Sequence, residues 1–215
     1  MATQTFLHEQ LYRGADLLRR LAATRITLCG VGALGSNLAD NLARQGALLL
    51  RAIDYDRVEV HNIGTQLYTQ SDVGAWKAEA LRKQLFRATG IEIDAVRKML
   101  TGTNARGLLK ESDLIIDCFD NTAARALVQN YARENDVPTL HVGLHTDYCE
   151  AIWDEHYRVP ADVGGDVCEY PLARGIVLLA VVIASEAIVR FLESGERINR
   201  SATLRDMAVR LFEPA

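Results

Sequence analysis

Ile26-Thr27-Leu28-Cys29-Gly30-Val31-Gly32-Ala33-Leu34-Gly35 joins an apolar run of strand length to three glycines spaced G-x-G-x-x-G, and a segment with helical spacing follows. A strand that ends on such a loop and reopens as a helix is the context in which this spacing has a physical reason. The first glycine permits a tight turn, the second lacks a Cβ that would collide with a bound group, and the third lets helix and strand pack closely. Free N–H groups at the helix N-terminus suit the loop to phosphate. A tight turn with no ligand is the plainer reading of the glycines alone. Farther on, Asp54 ends the next apolar run, where a carboxylate can accept hydrogen bonds from a ribose diol. Gly30, Gly32, Ala33, Leu34, Gly35, Asp54 and Asp56 are therefore candidate nucleotide-binding residues.

On either side of this loop, apolar runs at 26–29, 48–54, 92–96, 114–118 and 139–142 alternate with helix-length segments at 34–45, 73–89, 104–109 and 122–134. That order builds a parallel sheet with helices on its faces. The runs are continuous rather than alternating, as burial on both faces requires. After His145 the pattern changes: 149–153 alternates in polarity, and 157–167 contains Pro160 and Gly164-Gly165, which favour turns. Residues 145–175 are expected to form a mobile crossover loop. Residues 175–192 are apolar nearly all round and read as a helix buried against the sheet or a second subunit. A closing strand or hairpin is expected within 202–212. The fold class expected is α/β, a Rossmann-like, mostly parallel sheet with helices on both faces and a short antiparallel C-terminal extension. A single domain over 1–215 is expected, with 1–20 as an N-terminal arm.

With 215 residues and 49% apolar content, the chain can bury about 70% of the surface its unfolded form exposes. A formal charge of −4 supplies no basic field to draw it onto nucleic acid or anionic lipid, so neither partner is expected. Cys29, Cys118, Cys149 and Cys168 form no CxxC pair, so no disulfide framework and no structural zinc is expected. The N-terminus has no apolar segment of signal-peptide type, and the most hydrophobic run, 176–184, is roughly half a membrane span. A soluble cytoplasmic protein with reduced thiols is the expectation.

The glycine loop and Asp54 serve a nicotinamide dehydrogenase as well as an ATP enzyme. Lys77 tips the balance, because a cation near the start of a helix can hold a triphosphate and offset charge growing on leaving pyrophosphate. Standing alone, it would read as a solvated helix-face lysine. Asp117-Cys118-Phe119-Asp120-Asn121 closes a buried strand at the sheet edge where open α/β folds bind ligands. A carboxylate there suits Mg²⁺, which takes one or two protein oxygens plus phosphate and water. The competing role of Asp120-Asn121 is the N-cap of the next helix, and for Asn121 capping is the expected one.

Together these segments resemble the ThiF/MoeB/ubiquitin-activating superfamily over roughly residues 20 to 195. The resemblance is carried by the glycine loop, D-x-D-x-V-E-x-x-N from Asp54 to Asn62, Gln66, G-x-x-K ending at Lys77, D-C-x-D-N-x-x-x-R from Asp117 to Arg125, and Cys168 ahead of the long apolar helix. It implies that ATP and Mg²⁺ are the cofactors, with Asp54 on the ribose, Lys77 on the phosphates, Asp120 on the Mg²⁺, and Asn62 and Gln66 at the reaction centre. It further implies adenylation of the C-terminal carboxylate of a small ubiquitin-like or sulfur-carrier protein ending in Gly-Gly, by a homodimer. In-line displacement asks of the protein alignment and charge neutralisation rather than covalent chemistry. Three features depart from the family: Thr65 stands where an arginine is usual, zinc-binding CxxC pairs are absent, and Arg13 is the best of several loose candidates for the arginine that members insert into a partner's site.

A covalent role for Cys168, attacking the activated carbonyl, stands beside the plainer reading of a half-buried loop cysteine. His141 and His145 are expected to be hydrogen-bonding loop residues rather than substrate contacts. Cys29 and Cys118 read as core residues, and Trp153 and Tyr157 as core or interface packing or as contacts for a peptide tail. Two other functions remain: an NAD-dependent oxidoreductase, and a non-catalytic scaffold subunit of an activating heterodimer.

Overall fold

The computed structural model describes residues 4–161 and 171–212. Five strands, β1 (Arg25–Cys29), β2 (Leu49–Ile53), β3 (Asp94–Val96), β4 (Leu114–Asp117) and β5 (Thr139–His145), lie parallel in the order β3-β2-β1-β4-β5. Beyond β5 the sheet continues antiparallel through β6 (Tyr148–Trp153), β7 (Arg200–Thr203) and β8 (Val209–Leu211). The order reverses between β1 and β4, and such a reversal is where an open α/β sheet opens a crevice at its carboxyl edge. Register sets what reaches that edge: Cys29 lies beside both Ile53 and Asp117, and Asp117 beside His141.

Alternate residues of the parallel strands feed two cores. Ile26, Leu28, Leu50, Ala52, Leu114, Ile116, Leu140 and Val142 pack with α3 (Ala33–Gln45) and α7 (Arg174–Ser194). Cys29, Ile53 and Ile115 face the other way, against α5 (Ala105–Leu109) and α6 (Thr122–Asn135). By length and composition α7 could cross a membrane. Here Ile176, Ala180, Ala184 and Ile188 are buried against the sheet and α3, and Asn41 donates to Ser185 Oγ at 2.9 Å.

Three expectations change. The helix expected from 73 starts only at α4 (Lys77–Thr89), because a 3-10 turn at Gln70–Asp72 and Gly74 at φ +85° hold the chain off a helical path. The N-terminal arm is two helices, α1 (Leu7–Arg13) and α2 (Ala15–Ala23), tied down by buried Leu17, Leu18 and Leu21. The crossover loop expected over 145–175 is too wide. Cys149, Ala151 and Trp153 are apolar on alternate positions, so 148–153 forms β6 with that face buried, hairpinned onto β5. The closing hairpin within 202–212 forms as β7 and β8.

Helix α3 can enter the sheet where it does only because Gly35 carries no side chain. A Cβ at Gly35 would lie 2.0 Å from Gly30 O and 3.0 Å from Gly30 C, a clash with backbone that no rotamer relieves. Gly35→Ala is expected to lower the melting temperature by about 6–12 °C, corresponding to about 3 kcal/mol or more. Gly107→Ala, where a Cβ meets nothing within 4 Å, should leave it unchanged or slightly higher in the same thermal melts.

Candidate functional site at the carboxyl edge of the sheet

The edge is built around Gly30. Its N–H donates to Ile53 O at 2.9 Å, its φ is +85°, and a Cβ there would sit 3.0 Å from Phe119 Cδ1 and 3.1 Å from Cys118 O. Strand ends β1 and β4 therefore meet at a glycine where a side chain would crowd its neighbours and whose positive φ other residues rarely adopt. At Gly32 the surroundings are open, with Gln66 Nε2 the nearest atom to a built Cβ at 4.0 Å. Helix α3 begins there with no side-chain cap, so its first N–H groups are left for the crevice.

Asp54 lies buried just past β2 and stitches the loop, since Val31 N donates to Oδ2 and Asp56 N to Oδ1, both at 2.8 Å. Burial pushes its pKa up, against the charge of Lys77 and the two N–H groups. Lys77, the first residue of α4, is buried along its stem. Its N–H donates to Asp56 O at 2.8 Å and its Nζ lies 3.1 Å from Asp56 Oδ2. Asp54, Asp56 and Lys77 thus share one corner of the edge.

A segment from 62 to 68 is laced over the glycine loop. Asn37 Nδ2 donates to Thr65 O at 2.9 Å, Leu67 N to Ser36 Oγ at 3.1 Å, and Tyr68 OH to Val31 O at 2.6 Å. Asn62 is buried and turns this segment, its Oδ1 accepting from Glu59 N at 2.9 Å and its carbonyl from Gln66 N at 2.8 Å. Gln66 Oε1 is buried with no hydrogen-bond partner among the described residues, a cost of about 1–3 kcal/mol unless something else satisfies it.

At the end of β4, Asp120 and Asn121 are exposed. Asn121 Oδ1 accepts from Ala124 N at 2.8 Å, which makes it the N-cap of α6, the expected alternative to ligand binding. No three His, Cys, Asp or Glu side chains among the described residues are grouped to hold a metal. Arg13 lies elsewhere: it pairs with Glu9 at 2.6 Å and with Glu186 of α7 at 2.5 Å. Neighbouring Phe6 and Leu18 pack at Gly46, the end of α3 remote from the glycine loop by about 20 Å. Cys168 lies outside the described residues.

One group was not foreseen. His141, expected in a loop, is a fully buried residue of β5 hydrogen-bonded to Asp117 and Asp154 with Tyr157 stacked on its ring. A polar residue set in a continuous apolar strand was the available signal, at 117 and 141 alike. Its partners were not, because strand register is invisible in the sequence. Trp153 and Tyr157 are buried, in line with their packing alternative.

The model of the ThiF family matches residues 7–153. A sulfur carrier protein adenylyltransferase of Thermus thermophilus is 34% identical over 121 residues, 55% of this chain and 45% of that protein. A molybdopterin-synthase adenylyltransferase of Escherichia coli is 35% identical over 119 residues, 54% of this chain and 48% of that one. The chain thus spans about half the length of these relatives. Among solved structures, E. coli MccB with ATP superposes with a TM-score of 0.80 at 16% identity over 99% of this chain and 72% of that one. E. coli TcdA, a tRNA N6-threonylcarbamoyladenosine dehydratase, does so with 0.78 at 18% over 89% and 95%. At such identities the structural likeness speaks for the fold alone.

The thiols around the site are held protonated. Burial drives Cys29 and Cys118 well above the usual thiol range, with Asp117 adding to both, and brings Cys149 to about 11. At pH 8 roughly one Cys149 in a thousand is thiolate. Iodoacetamide at that pH should leave Cys29, Cys118 and Cys149 unmodified in the native protein and label all three in guanidinium, as read by peptide mass mapping.

Proposed function

The chain belongs to the ThiF family, and on that premise we propose that it adenylates the C-terminal carboxylate of a small sulfur-carrier or ubiquitin-like protein with ATP. The observation that carries the proposal is the meeting, at the β1–β4 reversal, of a loop open at Gly32, a buried Asp54, a Lys77 at a helix start and an exposed Asp120. The names of the relatives, adenylyltransferases one of which acts on a sulfur carrier protein, support the same reading.

In this reading the N–H groups opening α3 receive phosphate, and Asp54 has lone pairs left for ribose hydroxyls after accepting from Val31 and Asp56. Lys77 neutralises charge as the α–β phosphate bond breaks. An oxygen of the incoming carboxylate attacks the α-phosphorus in line, forming the acyl-phosphate bond while pyrophosphate departs. Asn62 and Gln66 border the reaction centre, with Gln66 Nε2 nearest the open position at Gly32. Asp120, an exposed carboxylate, would be the protein ligand of a Mg²⁺ that takes its remaining ligands from phosphate and water. Bound there, Mg²⁺ would offset phosphate charge. Nothing in hydride transfer calls for Lys77 or the 117–121 turn, so the oxidoreductase reading gains no support. Passing the acyl group to a thiol such as Cys168 is a separate step that adenylation does not require.

Lys77→Ala and Asp120→Ala are each expected to lower ATP–pyrophosphate exchange with the carrier a hundredfold or more, on the order of 3 kcal/mol of transition-state stabilisation. Thermal melts should hardly change for Asp120→Ala, whose side chain is exposed, and should fall modestly for Lys77→Ala, which loses a buried stem. Exchange within a few-fold of wild type in either variant would overturn the site assignment.

We propose further that the chain works as a homodimer in a reducing cytoplasm. Leu11 and Tyr12 on α1 are 73% and 83% exposed, Val182 on α7 is 54% exposed, and Val209 and Leu211 on β8 are 51% and 64% exposed. A groove joins these elements, in which Tyr12, Val182 and Val209 sit among Arg13, Glu186 and Arg190, a mixed apolar and charged face suited to a protein partner. Arg13 sits on the same face, so a role for it across the interface depends on this dimer. Light scattering at micromolar concentration should give twice the chain mass, and Val182→Glu should give the single-chain mass. A wild-type monomer would remove both the dimer and the role of Arg13.

A further inference from the structure

Adenylation as described leaves the buried cluster around His141 without a task. Its Nδ1 lies 2.8 Å from Asp117 Oδ2 and its Nε2 3.1 Å from Asp154 Oδ1, while Tyr157 stacks on the ring with centroids 3.7 Å apart and an 8° tilt. Arg133 donates to Asp154 Oδ2 at 2.8 Å. Arg125 stands 3.5 Å from Asp117 Oδ2 and spends its hydrogen bonds on Tyr157 OH and Val142 O, both at 2.9 Å. The imidazole is thus fixed in its plane by two carboxylates and across its face by an aromatic ring, with 0% of its surface exposed.

What the ring does to Asp117 matters for the crevice. With Oδ2 facing His141, the other oxygen, Oδ1, accepts from Phe119 N at 3.1 Å and turns the chain at the end of β4. Phe119 is the side chain that a Cβ on Gly30 would strike, and the residue after it is Asp120. Three contacts therefore lead from His141 through Asp117 and Phe119 to the glycine loop.

The geometry points to His141 as a positioning residue that fixes the orientation of the Asp117 carboxylate and, through it, the 117–120 turn on which nucleotide affinity depends. This rests on the nucleotide-binding reading above. The nitrogen that matters is Nδ1, because it alone faces Asp117. Nε2 serves Asp154, which has Arg133 as well. Asp117 is wholly buried, and a buried charge that loses a partner is left poorly compensated, so the carboxylate is drawn to the cation that remains. That cation is Arg125, and this movement takes Oδ1 away from the Phe119 N–H.

Side-chain amides separate the two nitrogens, since asparagine places its NH₂ near the position of Nδ1 and glutamine near that of Nε2. The experiment measures ATP-Mg²⁺ affinity by calorimetry on the full chain for wild type, His141→Asn, His141→Gln and His141→Phe. His141→Asn should bind within threefold of wild type, and His141→Gln and His141→Phe at least tenfold more weakly. Hydrogen–deuterium exchange of the peptide spanning 117–121, measured without nucleotide, should be faster in His141→Gln than in His141→Asn. A purely structural histidine would make both amides lose affinity alike. Equal affinity across the three variants, or Gln matching or surpassing Asn, overturns the inference. Should His141→Phe fail to fold, the Asn–Gln contrast decides. If wild type itself does not bind ATP, the nucleotide reading falls, and the exchange contrast in the 117–121 peptide still decides whether His141 sets the turn.

Discussion

The site depends on how closely the ends of β1 and β4 approach. Cys118 N donates to Cys29 O at 2.9 Å and Phe119 lies against Gly30, so a Cβ at Gly30 would fit only by pushing the two strand ends apart. Gly30 must then take φ +85° to leave the sheet, and that turn sends Val31 N toward Asp54. The carbonyl of Val31 points to Tyr68, which anchors the segment roofing the loop. One steric constraint thereby places the loop, the ribose-side carboxylate and the roof. Any side chain at 30 or 35 would separate them together.

Two carboxylates repeat one device at the ends of β2 and β4, the strands on either side of β1. Asp54 accepts from the N–H of Asp56 and Asp117 from that of Phe119, each two residues on, the Asx-type turn that short acidic side chains make. A hydrogen bond to a charged group contributes about 1.5–3 kcal/mol, whereas burying a carboxylate costs several kcal/mol. Each therefore needs further partners. Asp54 has Val31 N–H and the nearby charge of Lys77; Asp117 has His141 and Arg125. Groups from other elements thus satisfy both acids and tie the loops of the sheet edge together.

That difference explains what could be read from the sequence. The parallel strands, the glycine loop, Asp54 and the capping by Asn121 follow from local pattern: continuous apolar runs, glycine spacing, a carboxylate at a strand end, an amide before a helix. The late start of α4 at Lys77 was missed because Gly74 and the turn before it outweigh helical periodicity in 73–76. The alternation of Cys149, Ala151 and Trp153 does not by itself separate β6 from a loop, since a short half-buried strand looks the same in sequence whether or not it finds a neighbour. The His141 cluster joins residues 24, 13 and 16 positions apart through register and a hairpin. No local rule brings such residues together.

Thr65, where the family usually has arginine, bears on how the edge handles charge. The main chain at 65 is held by Asn37 through a carbonyl, so losing the arginine side chain does not loosen the roof. It leaves Lys77 as the cation beside Asp54. Lys77 Nζ is committed to Asp56, whose side chain is 56% exposed. With Asp56 open to solvent, screening weakens the pair from that side, and Lys77 can exchange Asp56 for a phosphate. Its stem, buried under the edge, stays in place during that exchange. On the proposed reading, the edge therefore holds a cation fixed in position and weakly engaged, which is what a triphosphate-binding lysine requires.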